Sequence, residues 1–135
     1  MALVLFVCKE NAYRSQMAEA IFDNISKKDF AISASGAEPA KEVSPDAIML
    51  LKRKYGIDMS KQKPKMLTEK MLNSASRIIT VCNPNDCVLL PKSYNAEHWN
   101  IPKFEQMNEE EKEKNLENLY EKVKKLAKEL EADSY

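Results

Sequence analysis

The chain has 135 residues, the size of one ordinary domain and enough to bury a core without disulfide staples, so a single unit spanning 1–135 is expected. Lysine plus arginine balances aspartate plus glutamate at 21 each, which excludes the overall basic field of a nucleic-acid or membrane-surface binder and leaves any anion to a local site. The longest apolar run near the start, residues 2–7, is short and runs into Cys8, Lys9 and Glu10. It fits neither a signal peptide nor a membrane span.

The expected location is therefore the cytoplasm, where thiols are kept reduced. The three cysteines are then read as catalytic, redox-active or metal-binding rather than as structural staples. Zinc is the weakest of these, because Cys82 and Cys87 have no second pair and His98 is the sole histidine.

Along the chain, Leu3-Val4-Leu5-Phe6-Val7 is continuous and rich in strand formers, as suits a strand buried on both faces. Beyond a loop, Met17, Ala18, Ile21, Phe22 and Ile25 recur at three- and four-residue steps, predicting a helix packed on one side. Phe30, Ile32 and Ala34 alternate up to Gly36, a second strand. Ser44-Pro45-Asp46 supplies a capping serine, a first-turn proline and an acid, opening a helix that closes at Tyr55-Gly56. A short polar helix over 67–72 precedes Arg77-Ile78-Ile79-Thr80-Val81-Cys82, another buried strand. A weaker strand is expected over 96–99. From 109 to 133 the chain is mostly charged, yet Leu116, Leu119, Tyr120, Val123, Leu126, Ala127 and Leu130 form one stripe of an amphipathic helix. Alternation of strands and helices points to an α/β sandwich around a parallel sheet.

The chemistry concentrates in Cys8-Lys9-Glu10-Asn11-Ala12-Tyr13-Arg14-Ser15. A cysteine ends a buried strand, five loop residues follow, and arginine and serine open a helix. Loop amides and a helix N-terminus then converge on one spot, which suits a tetrahedral oxyanion. Arg14 adds a bidentate grip that lysine would not. The same field favours a thiolate over a thiol, making Cys8 the candidate nucleophile. Ser15 is placed to donate to that sulfur, and Asn11 to take a left-handed turn and brace the loop.

This segment resembles the C-x5-R-S signature of low-molecular-weight protein tyrosine phosphatases. Arg14-Ser15-Gln16-Met17-Ala18-Glu19-Ala20 is especially similar to the thioredoxin-coupled arsenate reductases on that fold. Ser35-Gly36, Ser44-Pro45, Gly56-Ile57-Asp58, Ile79-Thr80-Val81-Cys82 and His98-Trp99 follow in the family's order. The resemblance implies a three-layer α/β/α sandwich with a four-stranded parallel sheet of order 2-1-3-4. Strands one and three would then be neighbours, with Cys8 and Cys82 ending them on one edge. It further implies a relay: Cys8 attacks arsenate, Cys82 attacks the Cys8 sulfur, Cys87 resolves that disulfide, and thioredoxin or a similar dithiol regenerates the pair. No tightly bound cofactor is implied, and a monomer is expected.

Five positions depart from, or add to, the pattern. Relatives carry an Asp-Pro general acid after the fourth strand; here the order is Trp99-Asn100-Ile101-Pro102-Lys103-Phe104, with Lys103 where the acid belongs. Glu105 and Asp86 are the substitute acids, against a reading of both as solvated. Glu10 stands where many relatives have glycine, and Tyr13 where phosphatases commonly have a second cysteine. Asn11 and Glu19 match positions that help hold potassium in some relatives, against a loop brace and a surface acid. His98 and Trp99 are read as structural. Three functions stay open: an arsenate reductase, a low-molecular-weight protein tyrosine phosphatase hydrolysing through a Cys8 phosphoenzyme, and a non-catalytic oxyanion or phospho-ligand binder.

Overall fold

A computed structural model describes residues 2–83 and 87–133 of the chain. Four strands, β1 (Leu3–Cys8), β2 (Phe30–Ser35), β3 (Arg77–Cys82) and β4 (Glu97–Asn100), form one parallel sheet in the order β2-β1-β3-β4. Four helices, α1 (Arg14–Ile25), α2 (Pro45–Tyr55), α3 (Glu69–Ser74) and α4 (Glu109–Asp133), connect and cover it. The sheet order is the expected one.

The side-chain alternation of β1 divides the interior into two layers. Val4, Phe6 and Cys8 face the larger cluster, which takes in Met17, Ile21 and Phe22 of α1, Leu50 and Leu51 of α2, and Leu116, Leu119 and Val123 of α4. Leu5 and Val7 face a smaller one with Ala34 and Ile78, covered by Met71 and Leu72 of α3 and by Val88 and Leu90. The α4 stripe is thus the lid of the main core: Leu116, Leu119 and Val123 are fully buried. Tyr120 stacks on Tyr55 with ring centroids 4.1 Å apart, and Arg53 and Lys54 meet Glu109 and Glu117 at 2.6 Å each.

Local chemistry sets the helix ends. Ser44 Oγ accepts from the Ala47 amide, Pro45 fills the first turn and Gly56 closes α2 at φ 70°, a left-handed angle open to glycine. Two elements lie slightly later than periodicity predicts. The helix expected over 67–72 is Glu69–Ser74, because Thr68 Oγ1 accepts from the Met71 amide and fixes the start there. Strand β4 is Glu97–Asn100 rather than 96–99, since Asn95 sits in a left-handed turn at φ 51°. No helix among the described residues is long and apolar enough to cross a membrane.

Sheet order also fixes where a site can form. From β1 the chain reaches β2 on one side while β3 lies on the other, so the connections after β1 and β3 diverge and leave a crevice at the strand C-termini. Both Cys8 and Cys82 end their strands at that edge.

Candidate active site

Residues 9–13 turn tightly because the flanking chain holds their carbonyls. The oxygens of Cys8, Lys9, Glu10 and Ala12 accept from the amides of Gly36, Ala37, Ala40 and Ser44 at 2.9 to 3.1 Å. No peptide in the described chain is cis, so each following N–H points opposite to its carbonyl. The amides of Lys9, Glu10, Asn11 and Tyr13 are thereby directed away from the 36–44 segment, towards the side where Cys8 and Arg14 lie. This is the concave array of N–H groups that an oxyanion needs.

Asn11 makes the turn at φ 57°, and its contacts fix the direction of every bond around the sulfur. The Lys65 amide approaches Asn11 Oδ1 at 2.9 Å; a backbone N–H only donates, so the facing atom is the oxygen. Asn11 Nδ2 must then face Ser15 Oγ, 2.7 Å away, and the serine oxygen accepts. The Ser15 hydrogen is left for the Cys8 sulfur at 2.9 Å. Asn11, Ser15 and Cys8 form a one-way chain ending at a 3 % exposed thiol. Gln16 Nε2 adds bonds to Asn11 O and Oδ1, and Gln62 clasps Gln16 in turn.

Arg14 is 6 % exposed and donates Nη1 to the Ile101 carbonyl at 2.8 Å, which leaves guanidinium donors for a ligand. A cavity of about 220 Å³ is lined by Cys8, Lys9, Glu10, Ala12, Tyr13, Arg14, Ser44, Lys103 and Glu105. Buried Ile101 and Phe104 pin the loop after β4, so Lys103 and Glu105 overlook the sulfur. Lys9, Arg14 and Lys103 set three cations against Glu10 and Glu105, a local excess that the neutral overall charge conceals. Of the two substitute acids, Glu105 lies at this cavity, and Asp86 lies outside the described residues.

Tyr13 is more than a replaced cysteine. Its ring packs on Phe104 at 5.1 Å and its hydroxyl donates to Asp46 Oδ2 at 2.5 Å, while Lys112 Nζ reaches the same oxygen at 3.0 Å. Burial, then the bond and charge of Asp46, push the Tyr13 phenol far above its ordinary value. Burial would raise the Asp46 carboxyl, but Tyr13 and Lys112 outweigh it and hold it below its usual range. From the sequence Asp46 is only a first-turn acid; its role depends on α2 and α4 meeting over the loop.

Glu19 is mostly buried. Burial raises its carboxyl, against the Ser33 hydroxyl at 2.8 Å and Lys65 Nζ at 3.7 Å. Both polar sites suggested for potassium therefore meet the protein's own donors: Asn11 Oδ1 takes two N–H groups and Glu19 faces an ammonium. Among the described residues no group of three or more histidine, cysteine, aspartate or glutamate side chains is placed to hold a metal ion.

The second feature at this edge is a disulfide between Cys82 and Cys87, with Cα atoms 5.2 Å apart, well inside the range a bridge requires. Cys8 is the free thiol. Cys82 is fully buried and Cys87 partly exposed. On β4, Trp99 packs against Phe6 with centroids 5.9 Å apart, as its structural reading requires. His98, on the alternate face, lies beside Thr80 and Cys87, a contact that no pattern along the chain reveals.

The comparisons with known proteins agree with this geometry. An arsenate reductase 2 of Staphylococcus haemolyticus is 34% identical over 98 residues, 71% of this chain and 73% of its own. The crystal structure of an arsenate reductase from Archaeoglobus fulgidus superposes with a TM-score of 0.79 at 36% identity, covering 92% of this chain and 98% of that one. A low molecular weight protein tyrosine phosphatase from T. tengcongensis gives a TM-score of 0.76 at 28% identity, covering 96% and 99%. The family model for low molecular weight phosphotyrosine protein phosphatases matches residues 3–135, a span that holds the anion loop, both partner cysteines and the lid helix. On that match, the chain belongs to the low-molecular-weight phosphotyrosine protein phosphatase family.

Proposed function

We propose that this protein is an arsenate reductase that works by a three-cysteine relay. The observation that carries the reading is the Cys82–Cys87 disulfide, standing at the end of the strand paired with the one that ends in Cys8. Hydrolysis through a phosphoenzyme requires neither a second nor a third thiol there; in a phosphatase the pair would serve only to protect or regulate Cys8.

The Cys8 sulfur attacks arsenic(V), held by the loop amides and Arg14, and an arsenate oxygen leaves as water. Cys82 then attacks the Cys8 sulfur; the sulfur–arsenic bond breaks and its electron pair departs with arsenic, which leaves as arsenite. Cys87 attacks Cys82, freeing Cys8 as a thiolate and closing the Cys82–Cys87 bridge. An external dithiol such as thioredoxin supplies two electrons and two protons to reopen it. Each step needs the next sulfur within reach of the last. Strands β1 and β3 pair directly, about 4.8 Å apart, and with Val7 opposite Thr80 the two cysteines end them one residue out of step at the same edge, which supports this for Cys8 and Cys82.

Lys103 also favours this reading. Expelling an alkoxide or phenolate leans on general acid catalysis, about 10² to 10⁴ in rate, whereas water leaves from an already protonated arsenate. A cation at that position grips an oxyanion and donates poorly. The phosphatase reading is favoured by one observation, Glu105 at the cavity wall. The reducing cytoplasm and a monomeric chain complete the proposal.

The test is arsenite release with a dithiol regenerant. Cys82→Ser should abolish it while aryl phosphate hydrolysis persists, and loss of neither activity refutes the relay. Turnover of aryl phosphate that collapses in Glu105→Gln would favour the phosphatase. Tight phosphate binding with neither reaction would leave an oxyanion binder.

A further inference from the structure

The sulfur that an outside thiol can reach is Cys87, since Cys82 is fully buried. Cys87 Sγ lies 3.5 Å from His98 Nδ1, and Thr80 Oγ1 lies 2.5 Å from the same nitrogen and 3.4 Å from the Glu97 carbonyl. A hydroxyl so placed serves both states of the ring. It donates to a neutral Nδ1; or it turns its hydrogen to the carbonyl and accepts from a protonated Nδ1. The ring can therefore gain and lose a proton beside a sulfur without losing its anchor.

Lys92 and Asn95 line the same groove as Thr80, Cys87 and His98. The Glu97 carboxylate is already held by Arg77 at 2.6 and 2.7 Å, and α3, which covers this layer, brings Met71 and Leu72.

We propose that His98 is the proton acceptor and donor of the Cys87 sulfur and that Thr80 is its positioning residue; this rests on the relay reading for its place in turnover. In the reduced chain, Nδ1 takes the Cys87 S–H proton. The thiolate attacks Cys82 in a Cys8–Cys82 disulfide, the Cys87–Cys82 bond forms, and Cys8 leaves with the electron pair. In regeneration, a thiolate of the external dithiol attacks Cys87, Cys82 leaves as a thiolate and is protonated from solvent, and the dithiol's second sulfur attacks the mixed disulfide. Cys87 then departs as a thiolate and takes its proton from the His98 imidazolium, while the dithiol leaves oxidised.

The experiment uses the chain carrying Cys8→Ser and Cys82→Ser, in which Cys87 is the sole thiol, and follows its alkylation by iodoacetamide from mildly acidic to alkaline pH. His98→Gln should slow alkylation at neutral pH about tenfold and move the midpoint of the rate profile up by about one unit, towards that of a free thiol. Thr80→Val should give a smaller shift in the same direction. Rates within about twofold of the parent in His98→Gln, with circular dichroism unchanged, overturn the proposal. A second arm maps disulfides in the full-cysteine protein after arsenate exposure, where His98→Gln should accumulate Cys8–Cys82. Slowed alkylation with no Cys8–Cys82 species in parent or variant would defeat the relay and leave the assignment of the Cys87 proton to His98 standing.

Discussion

Tyr13 occupies the anion loop, yet its hydroxyl is tied to Asp46 on a different element, so removing that one oxygen probes how the loop is held. In Tyr13→Phe the ring still packs on Phe104 and only the hydrogen bond is lost. A bond to a charged acceptor contributes about 1.5–3 kcal/mol. The Asp46 side chain is 46 % exposed and keeps Lys112, so the low end applies, about 1.5 kcal/mol. For a chain of this size that lowers the melting temperature by about 5 °C. Asp46→Ala should cost more, because it strands a buried Tyr13 hydroxyl and also removes the nearer of the two carboxylates at Lys112. The double variant should fall short of the sum by about 1.5 kcal/mol in a urea-unfolding cycle. The pH dependence has a definite sign. Asp46 is depressed in the folded state, so its contribution is complete above the ordinary carboxylate range and fades as pH falls through the depressed value. Tyr13 is raised, so its contribution is complete below the ordinary phenol value of about 10 and is lost as pH climbs beyond it. A coupling below about 0.5 kcal/mol, against the expected range for a charged bond, would refute the network as a brace of the loop.

Three further outcomes follow from the same geometry. Arg14→Lys keeps the charge but loses the fork that grips a ligand and holds the Ile101 carbonyl, so phosphate affinity by calorimetry should fall about 10- to 100-fold; a loss under about threefold would contradict that role. A Cβ on Gly36 would sit 2.1 Å from Val88 Cγ2 and 2.7 Å from its Cβ, so Gly36→Ala should cost about 1–3 kcal/mol and, by pushing residue 88, slow closure of the Cys82–Cys87 bridge in a thiol-quench assay; unchanged stability would mean that Val88 moves freely. Glu19 is raised by burial, so its proton is held more tightly folded than unfolded, and its contribution is lost as pH rises past the folded value. Glu19→Gln should therefore raise the urea midpoint at neutral pH, the gain vanishing in acid, and a lower midpoint would show that Lys65 more than offsets the burial.

Much of the architecture could be read along the chain because its causes are local. The six residues of β1 are apolar on both faces, Ser44-Pro45-Asp46 and Gly56 punctuate α2, and the α4 stripe repeats at helical steps. The candidate nucleophile and its arginine could be singled out for the same reason: five loop residues separate Cys8 from Arg14, and the strand–loop–helix order places both. Cys82 and Cys87 were legible as a pair by spacing and resemblance, since five residues allow closure.

What distance along the chain hides is everything that closes the site from outside. Asp46 and Lys112 meet at Tyr13 from helices far apart in sequence, Ile101 reaches Arg14 across 87 residues, and the Lys65 amide fixes the bond directions at Asn11 across 54. His98 meets Thr80 and Cys87 only because β4 pairs with β3 in one register. The sequence by itself determined which elements form and where the Cys8 sulfur sits, because propensity, capping and periodicity act between near neighbours. Tertiary structure decided which groups hold the loop and which ring faces the outer sulfur, because those contacts exist only once the sheet order and the crossing of the helices have brought remote residues together.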